Sequence, residues 1–411
     1  MSTETKALEI IRNWKLTKII YGNDTLDKTG DLVKDFGQSA IIVIGGGSVK
    51  KNGFLDRLAN SLSKESIKIV LFEGVEPNPS KETVEKIAAR WKSSGSDFTI
   101  AIGGGSAMDA AKAAALLVTL NETDISPYFG VEMSKNKLSG KKIKPVVCIP
   151  TTAGTSAEVT KYSNVTVHSL GVKKLIVDSN IIPPLAIVDP TLTIPCPKEL
   201  TVTVGLDTLT HSLEGYLNCM NDRGNEDANE RALVSIELIF KYLLRAANNG
   251  NDLEAREMMS RACVLGGTVI VFKSTGGPHM NSFSWYDVMP HGQATGIMLP
   301  YYIVYYTKNP VVAKKLEPIA KMLNVPIDSK IGINVAKAML QWYKELGFKT
   351  TLKEFEGFGE TQIKKAISDA VQNEMKLKAM PHPVPNERKD EILSVIVRSA
   401  YSGDLEAIEK L

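Results

Sequence analysis

The sequence Ile-Gly-Gly-Gly-Ser occurs twice, at 44–48 and 102–106, each time after a run of β-branched residues. This feature constrains the fold most. Consecutive glycines let a chain leaving a strand turn sharply and approach a ligand with its backbone. The surrounding first half alternates short apolar runs with helical spacing, which predicts strands at 41–44, 68–72, 98–102, 146–149 and 186–188. Helices are expected between them at 81–92 and 108–120. Strands and helices alternating at this interval call for a parallel sheet covered on both faces.

From Lys198 onward the pattern changes to long helical periods, among them 226–247, 251–271 and 390–400. A chain of 411 residues exceeds one ordinary core, and Pro195-Cys196-Pro197 interrupts both element types. The reading is therefore an α/β domain over residues 1–197 and an all-α domain over residues 198–411. The 49 basic and 46 acidic residues nearly balance, which gives no argument for nucleic acid or an anionic membrane as partner. The first 15 residues mix acids and bases without an apolar stretch, and no apolar run is long enough to span a bilayer. The four cysteines, Cys148, Cys196, Cys219 and Cys263, are scattered and fit a reducing cytoplasm.

Both glycine clusters are candidates for phosphate binding, because the amides at the start of a following helix offer donors and a positive dipole end. The second is the better one, since GGGSAMDAAKAAALL runs straight into a helix. Neither completes the G-x-G-x-x-G wording, and a tight turn with no ligand remains open on the residues alone. Glu73 stands where an acid could accept ribose hydroxyls, whereas Gly45, Gly46, Gly47, Ser48, Lys50 and Lys51 form a small, basic loop suited to a 2′-phosphate. The local chemistry leans to NADP over NAD.

The chain has five histidines. Asp207 and His211, in GLDTLTHSLEGY, lie four apart on a helical pattern, which puts them on one face as a chelating pair requires. His279 and His291 fall in the Gly- and Pro-rich GGPHMNSFSWYDVMPHGQATG. One carboxylate and three imidazoles suit a divalent transition ion, with Fe2+ and Zn2+ both acceptable. A surface Asp–His pair and a simple turn account for the same spacings. His168 and His382 read as surface residues.

Six segments then occur together in order: GVEPNPS at 74–80, IGGGSAMDAAKA at 102–113, IPTTAGTSAEVT at 149–160, AIVDP at 186–190, GLDTLTHSLEGY at 205–216 and MPHGQATGIMLP at 289–300. With these the chain resembles the iron-containing (group III) alcohol dehydrogenases. The resemblance implies a dehydroquinate-synthase-like two-domain fold, with the nicotinamide cofactor on the α/β domain and the metal on the helical one. It implies metal ligation by Asp207, His211, His279 and His291, and pyrophosphate contact by Gly104, Gly105 and Ser106, with Asp109 near the nicotinamide end. Thr151, Thr152, Thr155 and Thr160 would line the cofactor, and Lys174 or Lys173 would sit near its ribose. The position that carries an acid in NAD-specific members falls on Gly45.

The expected activity is metal-dependent hydride transfer between a nicotinamide cofactor and a primary or secondary alcohol, aldehyde or ketone, in a cytoplasmic homodimer. Glycerol or polyol dehydrogenation is the nearer alternative, and a dehydroquinate-synthase-like lyase the more distant one; the lyase would need more basic residues than Lys161 and Lys273 near the metal segments. The chain departs from the family wording in three places. Gly-Thr-Gly-Ser-Glu reads Gly154-Thr155-Ser156-Ala157-Glu158, Phe283 replaces a histidine proposed as proton carrier, and the loop from His279 to His291 is slightly shorter. No side-chain base is identified.

Overall fold

Six strands form a wholly parallel sheet in the computed structural model, which describes residues 1–223 and 225–411. In chain order the strands are β1 (Lys18–Tyr21), β2 (Ser39–Gly45), β3 (Lys68–Val75), β4 (Phe98–Gly103), β5 (Gly130–Val131), β6 (Val146–Pro150), β7 (Tyr162–Val167), β8 (Val172–Val177) and β9 (Leu185–Val188). The main sheet has the order β1-β9-β6-β4-β2-β3, and a smaller one has the order β5-β8-β7. The central strands read as unbroken apolar runs because helices cover both faces. Ile41 and Val43 pack with the helices Lys81–Ser94 and Gly105–Leu120, while Ile42 and Ile44 pack on the other face with Leu58 and Leu62.

The five strands and two helices expected in the first half are all present, each extended by a few residues. Four of the described strands were not foreseen. β1 and β5 are short, and β7 with β8 forms an antiparallel hairpin in register Val165↔Lys174.

The chain order matters for function. From β2 the chain passes outward to β3, then returns to place β4 on the other side of β2. The sheet thus reverses its winding between β2 and β4, and both glycine clusters leave the carboxyl ends of those two strands. In open parallel sheets that reversal opens the crevice in which ligands bind.

The molecule has two compact units that a single cut at 197/198 does not reproduce. One comprises Leu8–Cys196 with Gly250–Gly267, the other Met1–Ala7, Pro197–Asn249 and Thr268–Leu411. The N-terminal residues join the helical unit through a Thr3 hydroxyl bond to Glu237 (2.6 Å) and a Lys6–Glu230 ion pair. Residues 250–267 join the α/β unit, where Tyr21 donates to the Glu257 carbonyl (2.8 Å) and Arg256 to the Cys196 carbonyl (3.0 Å). A helical period says which face of a helix is buried, not which layer buries it. The helical unit is built from Lys198–Leu217, Glu226–Asn248, His291–Tyr306, Ile331–Glu345 and Lys389–Ser402, with shorter helices between. Among the described residues no helix is long and apolar enough to cross a membrane.

Candidate metal centre and cofactor loop

The helix Lys198–Leu217 is buried over most of its length, so Asp207 and His211 project from it into the helical unit, 2% and 5% exposed. His279 belongs to the short helix Gly277–Ser282, and His291 opens the helix His291–Tyr306 directly after Pro290. Close helix contact brings the last of these to Asp207. A Cβ on Gly292 would lie 2.4 Å from the Thr203 carbonyl oxygen, so only glycine permits the approach at that point.

The outcome is convergence. From Asp207 Oδ1 it is 4.0 Å to His211 Nε2, 3.7 Å to His279 Nε2 and 3.7 Å to His291 Nε2. The His211 and His279 rings stack at 4.7 Å, and His291 meets His279 edge-on at 5.4 Å. These nitrogen–oxygen separations exceed hydrogen-bond length. Two donors each about 2.1 Å from one ion lie roughly 3.4 Å apart in a tetrahedral arrangement, close to the spacing found. Asp207, His211 and His279 therefore fit a divalent transition ion, with His291 Nε2 close by at 3.7 Å from Asp207. Its most exposed member is His291, whose side chain is 23% exposed and marks the open side. Burial alone would raise the Asp207 carboxyl, but the three imidazoles and the Thr295 hydroxyl (3.0 Å) hold it below the usual carboxylate range.

Sequence reasoning gave no role to Glu214. It continues the stripe of Asp207 and His211, and its carboxylate is bonded to His279 Nδ1 and to the Gly276 amide (2.7 Å). The signal was present as an acid seven residues after Asp207 on a buried helix face. Phe283 lies one turn beyond His279 and is half-buried. His168 is exposed, as expected, whereas His382 is half-buried with its ring edge-on to Tyr305 at 5.0 Å.

In the α/β unit, the helix after the second glycine cluster starts at Gly105, with Gly104 as its extended N-cap and Gly103 at φ 150°. The helix runs 16 residues, so its first amides carry a full dipole end. Thr152 Oγ1 lies 3.7 Å from where a Gly104 Cβ would be, and a Cβ on Gly105 would fall 2.7–2.9 Å from Thr155. The Thr151 amide bonds the Gly103 carbonyl at 2.9 Å. These threonines therefore wall the glycine turn. Ser106 accepts the Asn78 amide (3.2 Å) and keeps its own proton to donate. At the first cluster, Gly45 ends β2, Gly47 has φ 118°, and Ser48 is exposed at the start of the short helix Ser48–Lys51.

The other expected cofactor residues sit differently. Asp109 is buried, and its carboxylate accepts the Asn164 amide (3.0 Å) beneath β7. Thr160 is buried, with its carbonyl 3.1 Å from Lys112 Nζ, which also bonds the Ala157 carbonyl at 2.9 Å. Lys112 thus clamps the 151–160 loop from below, and its signal was the single basic residue of an alanine-rich helix. Burial depresses its pKa, with Asp109 4.0 Å away opposing that effect. Lys174 is exposed, while Lys173, paired with Thr166 on the Asn164 face, is half-buried and acts electrostatically on Asp109. Ser156 stands at φ 56°, where the family wording has glycine, and its hydroxyl donates to the Cys263 carbonyl at 2.7 Å.

The family description "Iron-containing alcohol dehydrogenase" matches residues 17–190, and that of the "Fe-containing alcohol dehydrogenase family, C-terminal" matches residues 201–400. A NADPH-dependent butanol dehydrogenase of Clostridium saccharobutylicum is 34% identical over 85% of this chain and 87% of its own length. A long-chain-alcohol dehydrogenase of Geobacillus thermodenitrificans is 29% identical over 93% of this chain and 95% of its own. Among solved structures, a NADH-dependent butanol dehydrogenase of Thermotoga maritima superimposes with a TM-score of 0.82 at 27% identity, covering 94% of this chain and 98% of that one.

Proposed function

The chain belongs to the iron-containing alcohol dehydrogenase family, and on that premise we propose that Asp207, His211, His279 and His291 hold the one divalent ion on which its activity depends. The activity is metal-dependent, NAD(P)-linked interconversion of alcohols with aldehydes or ketones. The observation that carries the proposal is the convergence of three imidazole nitrogens on one carboxylate oxygen at 3.7–4.0 Å. When bound, the ion supplies Lewis acidity to the substrate oxygen, and the nicotinamide dinucleotide supplies the redox chemistry.

The chain's own residues do the rest. Thr295 orients Asp207 by a hydrogen bond, and the Gly104–Ser106 turn offers backbone donors at a helix start for the cofactor's pyrophosphate. Thr151, Thr152 and Thr155 wall that turn, with Lys173 in preference to Lys174 on the ribose side. NADP is the preferred cofactor in this reading. Added Cβ atoms at Gly46 and Gly47 would meet nothing within 4 Å, which leaves room for a phosphate beside Ser48, Lys50 and Lys51. Iron and zinc both suit the donors. A cytoplasmic location agrees with the scattered cysteines, and a homodimer is the assembly the family resemblance implies. The lyase alternative is not favoured. Lys273, one of the two basic residues available to it, is buried and bonded to Asp222 and Asn229.

The test is a panel of straight-chain alcohols and aldehydes, glycerol and diols, assayed with NADP(H) and NAD(H) after loading with Fe2+ or Zn2+. Turnover of simple alcohols that requires the metal supports the proposal. Metal-independent turnover, or turnover of glycerol and diols alone, overturns the corresponding part.

A further inference from the structure

His279 is the metal-cluster residue with the most elaborate support behind it. The segment leading to it is fixed residue by residue. Lys376, 6% exposed, bonds the Thr275 hydroxyl and carbonyl, the Gly276 amide donates to Glu214 Oε1, and the Gly277 amide donates to the Tyr306 hydroxyl at 2.8 Å. The second oxygen of Glu214 is bonded to Nδ1 of His279 itself, and Glu214 is 3% exposed. Asp207, His211 and Glu214 occupy positions i, i+4 and i+7 of one helix, so a single buried stripe carries two cluster residues and the group that holds a third.

A neutral imidazole carries one proton, and the nitrogen that bears it cannot ligate a metal. A carboxylate at Nδ1 keeps the proton there, which leaves the Nε2 lone pair facing Asp207. The two Glu214 oxygens have separate partners, the Gly276 amide and His279 Nδ1. We infer that Glu214 is a positioning residue: it fixes the tautomer and ring direction of His279 and thereby sets the affinity of the metal centre. The inference rests on the reading that the four-residue cluster binds a divalent ion. It adds that a fifth residue, which touches no metal, determines how tightly.

The experiment uses full-length protein stripped with a chelator and titrated with Co2+, whose visible absorption reports coordination by histidine and carboxylate. Affinity is measured by competition with a chelator of known strength. Glu214→Gln keeps the shape and should weaken Co2+ binding by about 10–100-fold, with the far-ultraviolet circular dichroism of the metal-free protein unchanged. Equal affinity in Glu214→Gln and wild type overturns the inference and leaves the metal reading intact. Wild type that binds no Co2+ overturns the metal reading itself. Should Glu214→Gln not fold, 15N-histidine spectra of the Zn2+-loaded wild type decide, with His279 assigned by its loss in His279→Gln. A proton on Nδ1 of His279 is expected; a proton on Nε2 overturns the inference.

Discussion

Lys50 and Glu73 form an ion pair where the chain leaves β2 and β3. The two residues had pointed to opposite cofactors, Glu73 to the ribose hydroxyls of NAD and Lys50 to the 2′-phosphate of NADP. The structure joins them. Each is exposed, with side-chain accessibility of 44% and 56%, so the pair is weak and the ammonium can turn to a phosphate at little cost.

The cofactor prediction follows from that pair. NADP(H) should give the higher kcat/KM, and Glu73→Gln should widen the preference by up to about fivefold, the equivalent of an exposed ion pair of at most ~1 kcal/mol. Gly45→Asp should reverse or erase it, since a carboxylate accepts ribose hydroxyls and repels phosphate. Steady-state kinetics with both cofactors decides. A wild type that clearly prefers NAD(H) contradicts the prediction.

Gly105→Ala tests the glycine turn. The added methyl would lie 2.7–2.9 Å from the Thr155 side chain, so the loop wall must shift. A stability loss of about 1–3 kcal/mol is expected, with a rise in the cofactor Kd, both measurable by unfolding with and without NADP+. The double variant Gly105→Ala with Thr155→Ser should recover part of each. Unchanged cofactor affinity would show that this turn is not the pyrophosphate cradle.

Glu158 predicts a pH dependence of stability. Burial raises its pKa from 4.5 to about 7, against smaller opposing effects of its own backbone amide, Lys112 and Cys263. An acid with a raised pKa binds its proton more tightly in the folded state, so its contribution is full below 4.5 and is lost as pH rises through about 7. The loss is on the order of 3 kcal/mol. Glu158→Gln removes the titration, so relative to wild type it should gain stability between pH 5 and pH 8 in denaturant unfolding. An offset between the two proteins that is the same at both pH values would count against this.

The family resemblance implies a proton-carrying histidine at position 283, where this chain has phenylalanine. Phe283, half-buried one turn past His279, carries no proton. The pH–rate profile for alcohol oxidation should therefore rise through a single alkaline limb, and Phe283→His should add a limb near the ordinary imidazole value of about 6.5. A wild-type limb of imidazole character that survives replacement of both His168 and His382 would reveal a carrier elsewhere.

The strands that bear the glycine clusters and the helix that bears Asp207 and His211 were legible because their signals are local: β-branched runs ending in glycine, and an i, i+4 pair. Less was legible where one segment depends on a distant one. The hairpin β7–β8 was missed although Val165, Val167 and Ile176 are buried in it, and it is this hairpin that covers Asp109 and separates Lys173 from Lys174. The helix expected at 251–271 is present as Leu253–Ile270, yet the attachment of residues 250–267 to the α/β unit depends on Tyr21 and Cys196, far away in sequence. Glu214 was visible as a letter in a motif, but its role appears only once Gly276 and His279 are folded against it.

The most direct test of the account is the metal content of purified wild type and of His211→Ala, measured by elemental analysis after loading with Fe2+ or Zn2+ and removal of excess ion. Wild type should carry about one divalent ion per chain, as a single four-donor site requires. His211→Ala should lose it together with alcohol oxidation while keeping the far-ultraviolet circular dichroism of the wild type. Metal content that is the same in both proteins would contradict the assignment of Asp207, His211, His279 and His291 as the metal centre.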